Sequence, residues 1–138
     1  MELAMKANVS WREGMAFEGQ TESGHKIVLD GSNPGSGPSP MEMVLLSAAT
    51  CSAIDVVSIL EKARQTFKNV EVEVDAERAE TVPKVFTKIH LKFIVTGTAV
   101  AESHVERAVR LSADKYCSVA KMLEASVTIS HNYEIKEL

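Results

Sequence analysis

Residues 43–54 carry no charge on any side, and they lie inside a segment that starts like a helix. Ser39 is placed as an N-cap, Pro40 takes the first helical position, and Glu42 follows Ser39 by three residues, the capping-box arrangement. The spacing predicts a helix from Pro40 to about Lys62–Gln65, with a solvated end at Glu61, Lys62 and Arg64. A half-helix that is apolar all round is expected to be buried all round. A chain of 138 residues with a single sheet has little with which to surround it. A partner subunit is the simplest cover, so this segment predicts a homodimer.

The flanking patterns are mostly those of strands. Leu3, Met5, Ala7 and Val9 alternate with polar residues, a period-two strand over residues 3–10. Short strands follow around Met15–Glu18, after the Glu13-Gly14 turn, and at His25–Leu29, which completes a β-meander. Residues 30–40 are dense in turn formers and lack the Gly-Lys-Ser/Thr ending of a phosphate-binding loop, so they read as a flexible linker. After the helix, Val70, Val72 and Val74 alternate with Glu71, Glu73 and Asp75, whose acids form the wet face of a strand. Residues 85–96 form a second strand with Lys88, His90 and Lys92 outward, and Pro83 makes the two a hairpin. A helix from Ala101 to about Tyr116 has Val105, Ala108, Val109 and Ser112 on one face. A short helix at Ser118–Glu124 and a final strand at Ser126–Ile135 end the chain. The pattern is a single α+β domain over residues 1–138 with segregated strands and helices.

Net charge is −4 and the basic residues are scattered, which excludes an electrostatic footprint for nucleic acid. The opening MELAMKANVSW has an early acid and no apolar core, unlike a signal peptide. No stretch is read as approaching the length of a membrane span. These features predict a cytoplasmic protein without a membrane partner, where a permanent structural disulfide is not expected. His25, His90, His104 and His131 show no CxxC or HxxxH spacing, and read as solvated surface residues rather than metal ligands or the base of a Cys–His hydrolase. The six methionines read as core packing.

Cys51 and Cys117 are the only thiols, and both fall in helical stretches. Such a pair is either inert core or a redox couple joined by folding. A nucleophilic cysteine needs its thiolate, and burial alone opposes that. Cys51 is mid-helix with no free N–H group, and Asp55 one turn on opposes its ionisation. A cation must come from elsewhere. Arg12, beside Trp11 near the end of the first strand, is the first candidate, because a guanidinium stays charged when buried. Cys117 stands at the junction of two helices, where a helix dipole favours a thiolate, with Lys121 a weaker helper. On the residues alone both readings stay open.

The stretch Gly37-Pro38-Ser39-Pro40-Met41-Glu42-Met43, leading into Ala48-Ala49-Thr50-Cys51, resembles the central helix of the OsmC/Ohr family. A second cysteine in a later helix, followed by the last strand, fits the same layout. Trp11-Arg12-Glu13-Gly14 matches the place of that family's catalytic arginine. The resemblance covers essentially the whole chain, and Ser39-Pro40-Met41-Glu42 with Cys51-Ser52-Ala53-Ile54-Asp55 is most similar to the YhfA-type branch. It implies the OsmC-like fold: an intertwined homodimer whose two long helices lie between sheets built from both chains. It also implies thiol-dependent reduction of organic hydroperoxides in oxidative-stress defence, at two interface sites per dimer. Carried over by position, Cys51 is the peroxide-reactive thiol, Cys117 the resolving thiol, and Arg12 the group that holds the thiolate. An external dithiol resets the pair, with no metal, flavin or haem.

Two positions depart from the pattern. The family's glutamate directly follows the proline that opens the helix. Here Met41 stands there and the acid is Glu42, about 100° further round. Asp55 is the candidate to replace it as partner of Arg12. Ser118 replaces the family's proline after the second cysteine. The alternative function is a dimeric module of the same fold that binds a small thiol or apolar ligand at the interface without turnover.

Overall fold

Side chains alternate across a strand, and directly opposed residues of paired strands share a face. In the computed structural model, which describes residues 5–138, this rule builds the first sheet. Strands β1 (Ala7–Glu13), β2 (Ala16–Thr21) and β3 (Lys26–Asp30) form the expected antiparallel meander. Leu3 lies outside the described residues. Trp11 pairs with Phe17 and Phe17 with Leu29, while Val9 and Ile27 both face Gly19. One face is therefore apolar, yet it is open: Trp11 is 68% exposed and Val9 64%. The opposite face is polar, with Glu18 between Ser10 and Val28 and Gln20 between Asn8 and Lys26. The β1–β2 turn needs a left-handed residue, which Gly14 supplies with φ 56°. These strands belong to a compact unit that ends at Leu45, and the rest of the chain forms a second, Leu46–Leu138.

The segment after β3 is pinned, not a flexible linker. Buried Asp30 accepts from Ser32 N (2.8 Å), Ser36 N (3.0 Å) and Ser36 Oγ (2.9 Å). These bonds, above all from the Ser36 backbone, lower its pKa to about 2. A Cβ on Gly35 would lie 2.7 Å from Asp30 Cγ, and one on Gly37 would collide with the Val28 carbonyl, so the loop closes only with glycine there. The physical reason for the correction is a carboxylate that organises its own downstream turn.

The central helix, α1, runs Pro40–Lys62 as expected. Its capping box is formed: Ser39 N donates to Glu42 Oε1 (2.8 Å), and Glu42 N donates to Ser39 Oγ (3.1 Å). Buried residues make one stripe, Ala48, Ala49, Ser52, Val56 and Leu60. Leu46 is 55% exposed and Ile54 63%, so the chain itself does not surround its uncharged half. One expectation is corrected here. By length and composition, α1 is long and apolar enough to cross a membrane, with a mean hydropathy of 2.0 over 18 residues, because its charges are too sparse to lower that mean. The core helix of a soluble protein passes the same test.

The second unit carries the sheet β4 (Phe67–Arg78), β5 (Phe86–Gly97) and β6 (Thr128–Glu137), in that order. β4 and β5 are the expected antiparallel hairpin, while β5 and β6 are parallel. Parallel neighbours need a long crossover. It consists of α2 (Glu102–Leu111), a π-helical turn (Ser112–Tyr116) and α3 (Ser118–Leu123). Ile89, Leu91, Phe93 and Val95 of central β5 are buried, as are Val105, Ala108 and Val109 of α2. Outward-facing His90 is half-buried rather than freely solvated, with Nδ1 2.7 Å from Ser130 Oγ and Nε2 2.9 Å from Asn132 Oδ1. Among the described residues the methionines are not core: Met5, Met15 and Met122 are exposed, and Met41 and Met43 are only half-buried.

Two outcomes follow from these local structures. Because the Asp30 carboxylate titrates lower in the folded chain than its ordinary 3.8, its stabilising effect is complete above that pH and is lost as pH falls through about 2. In denaturation experiments the advantage of wild type over Asp30→Asn shrinks across that window; a gap independent of pH there would contradict it. Ser39→Ala removes one half of the capping box and should lower unfolding free energy by about 1 kcal/mol, read by urea denaturation.

Candidate functional site

Cysteine at a helix N-terminus can do with sulfur what serine does with oxygen. Cys117 is the N-cap of α3, in extended backbone, and its Sγ accepts from Ala120 N at 3.4 Å. A second donor reaches the same sulfur from α1, Ser52 Oγ at 3.2 Å. The backbone is held too. Cys117 N donates to Ser112 O at 2.9 Å, the bond that closes the π-turn and makes the expected Ala101–Tyr116 helix change register after Leu111. Ser112 Oγ in turn donates to Asp55 Oδ2 at 2.9 Å. Ser52 and Asp55, three residues apart on α1, thus grip Cys117 through its sulfur and through the turn that carries it. Ser52, Ser112 and Cys117 are all buried.

Cys51 and Cys117 are both free thiols, the first half-buried and the second fully buried. Burial pushes the Cys117 thiol above its ordinary pKa; the Ser52 hydroxyl and the Ala120 amide pull it down, and the neighbouring Cys51 thiol pushes it up again. Folding has therefore brought together two sulfurs from distant parts of the chain. The more accessible one is on α1. The deeper one is held mainly protonated at neutral pH, with two hydrogen-bond donors aimed at it.

The other sequence-derived residues have the following places. Arg12 lies on β1, in the first unit, exposed, with Nη1 3.2 Å from Glu18 Oε2. Glu42 is engaged in the capping box of α1. Asp55 is bonded to Ser112. A cleft of about 530 Å³ opens beside Asp55, lined by Ile59, Lys62, His104, Arg107 and Tyr116 among others, and neither cysteine lines it. A shallower apolar groove runs along α1 past Thr50, Ala53, Ile54 and Val57. Among the described residues no three of His, Cys, Asp and Glu gather as a metal-ligand set. Ser52 and Ser112 were not singled out as site residues by sequence reasoning. The usable signal was a hydroxyl at a buried helical position, since a buried polar group requires a partner.

The profile of the OsmC-like protein family matches residues 33–132. Protein YhfA of Escherichia coli K12 is 55% identical over 131 residues, covering 95% of this chain and 98% of that protein. The crystal structure of a hypothetical protein from Aquifex aeolicus VF5 is similar with a TM-score of 0.89 and 32% identity, over 100% of this chain and 99% of that one. The organic hydroperoxide resistance protein OhrB of Bacillus subtilis shares the fold, with a TM-score of 0.63 at 14% identity over 96% of this chain and 98% of that one. The α+β architecture, the two three-stranded sheets and the matched segment agree: this chain belongs to the OsmC-like protein family.

Proposed function

We propose that this protein reduces organic hydroperoxides through Cys51 and Cys117, as a cytoplasmic homodimer. The observation that carries this reading is the meeting of its two free thiols, one accessible and one buried with donors on its sulfur. The likeness of fold to an organic hydroperoxide resistance protein supports it. In the proposed cycle the Cys51 thiolate attacks the peroxide's terminal oxygen. The O–O bond breaks, Cys51 becomes a sulfenic acid, and the alkoxide takes a proton to leave as alcohol. Cys117 then attacks the sulfenic sulfur, a disulfide forms, and hydroxide leaves as water. An external dithiol restores both thiols by exchange, with no metal or organic cofactor.

Arg12 is assigned by position to holding the Cys51 thiolate, because Cys51 is mid-helix, away from the free N–H groups of the first turn and from Lys62 in the last. The homodimer reading is supported by apolar surface the single chain leaves open. Only 22% of the apolar window of α1 is buried, and Trp11 and Val9 are exposed on the first sheet. Exposed apolar area on this scale marks an association surface.

A second reading, a non-catalytic module that binds a small thiol or apolar ligand, draws on two observations. Arg12 is ion-paired with Glu18, and Glu42 is spent on capping. The two readings separate on one experiment. Reduced protein is treated with stoichiometric cumene hydroperoxide, and free thiols and intact mass are followed, with Cys51→Ser and Cys117→Ser alongside. The peroxidase reading expects both thiols lost together, a sulfenic acid trapped in Cys117→Ser, and no reaction of Cys51→Ser. Thiols that stay reduced under excess peroxide would contradict it and favour the binding module.

A further inference from the structure

The resolving step places a chemical demand on Cys117 that its burial opposes. Its Sγ must become a thiolate, donate an electron pair to the sulfenic sulfur of Cys51, and displace hydroxide, which leaves as water with the proton Cys117 gave up. A fully buried thiol resists ionisation, so the protein must supply something that favours the anion. Two donors point at the sulfur: Ala120 N from the first turn of α3 and Ser52 Oγ from α1. The amide is a feature of the backbone, whereas the hydroxyl is a choice of residue. Ser52 is itself buried, and it stands in the uncharged part of α1, next in sequence to Cys51.

Resting on the hydroperoxide reading, we infer that Ser52 is a further catalytic residue: its hydroxyl donates to Cys117 Sγ and stabilises the thiolate that resolves the Cys51 sulfenic acid. A hydrogen bond to an ionised acceptor is stronger than one to a neutral acceptor. The Ser52 bond therefore tightens as the sulfur ionises, just when attack begins. Asp55 acts one step removed, as a positioning residue: by accepting from Ser112 it fixes the π-turn whose closing bond orients the Cys117 backbone. Asp55 meets Ser112 Oγ and not the sulfur. Among the described residues, Cys51 on α1 is the one titratable group that acts on Cys117, while its other two partners, Ser52 on α1 and Ala120 on α3, are uncharged donors. The pH dependence of resolution accordingly reflects the Cys117 thiol, whose ionisation the Ser52 hydroxyl favours, facing the sulfenic acid on Cys51.

The test separates this role from the reductase reading, because its first part needs no peroxide. In the Cys51→Ser background Cys117 is the sole cysteine, and its ionisation is followed by carbon NMR of the labelled cysteine Cβ against pH. Adding Ser52→Ala, a helix-favouring change that keeps the fold, should raise the titration midpoint by about one pH unit, a tenfold loss of thiolate. Ser52→Thr, which keeps the hydroxyl, should restore it. In the two-cysteine protein treated with cumene hydroperoxide, Ser52→Ala should lengthen the life of the Cys51 sulfenic acid about tenfold and leave its rate of formation unchanged. A midpoint that does not move in Ser52→Ala, or that moves equally in Ser52→Thr, would overturn the role. So would a midpoint shift without slower resolution in a protein that does form the sulfenic acid. If peroxide fails to oxidise Cys51 at all, the reductase reading falls, and with it the catalytic role, while the titration still reports whether Ser52 favours the thiolate.

Discussion

The structure depends on a helix that its own chain cannot cover. α1 presents an uncharged, mostly apolar surface over residues 43–54, and a single stripe of it is buried by the chain that carries it. Hydrophobic burial is the dominant favourable contribution to folding, so leaving Leu46 and Ile54 in water forgoes much of it. The apolar face of the first sheet is open in the same way. The same helix carries Cys51, Ser52 and Asp55, so the element whose apolar surface is left open also carries one half of the thiol site.

The other half comes from a crossover that is not a plain helix. A regular α-helix from Ala101 to Tyr116 would have continued the i to i−4 bonding past Ser112. The π-turn instead lets the Cys117 amide reach back to Ser112, and Cys117 then opens α3 as its cap. Departures of this kind concentrate at functional sites because they re-aim one side chain. Here the re-aimed side chain is a sulfur in a buried polar cluster of two serines and an amide, with a carboxylate beyond them. Each hydroxyl in it has a partner, which is the condition for burying polar groups without a large penalty.

Elements whose signal is local and periodic were legible in the sequence. The alternation in residues 85–96 defines β5, and Ser39 with Glu42 defines the start of α1, because both patterns follow backbone geometry. The family frame was legible for a different reason: the helix opening and the two-cysteine layout resemble a known arrangement, and the matched segment agrees. What was missed depends on tertiary closure. Asp30 ends a strand by pattern, and only folding shows that it organises the loop through Ser36. Ser112 reads as one more residue on a helix face, and the register change at the π-turn comes too near the end of the helical stretch to show in the apolar pattern. Methionine is apolar by composition, but Met122 and Met15 lie on the surface. Burial of α1 on all sides was expected from its lack of charge, and the single chain meets that expectation on one side only.

The central claim is that Cys51 and Cys117 of one chain form a reversible redox pair. Its most direct test is peptide mapping under non-reducing conditions after mild oxidation of the purified protein, repeated after treatment with dithiothreitol. The account predicts a single linked peptide pair joining Cys51 to Cys117 within one chain, lost on reduction. Cysteines that remain unlinked, or that link only between chains, would contradict it.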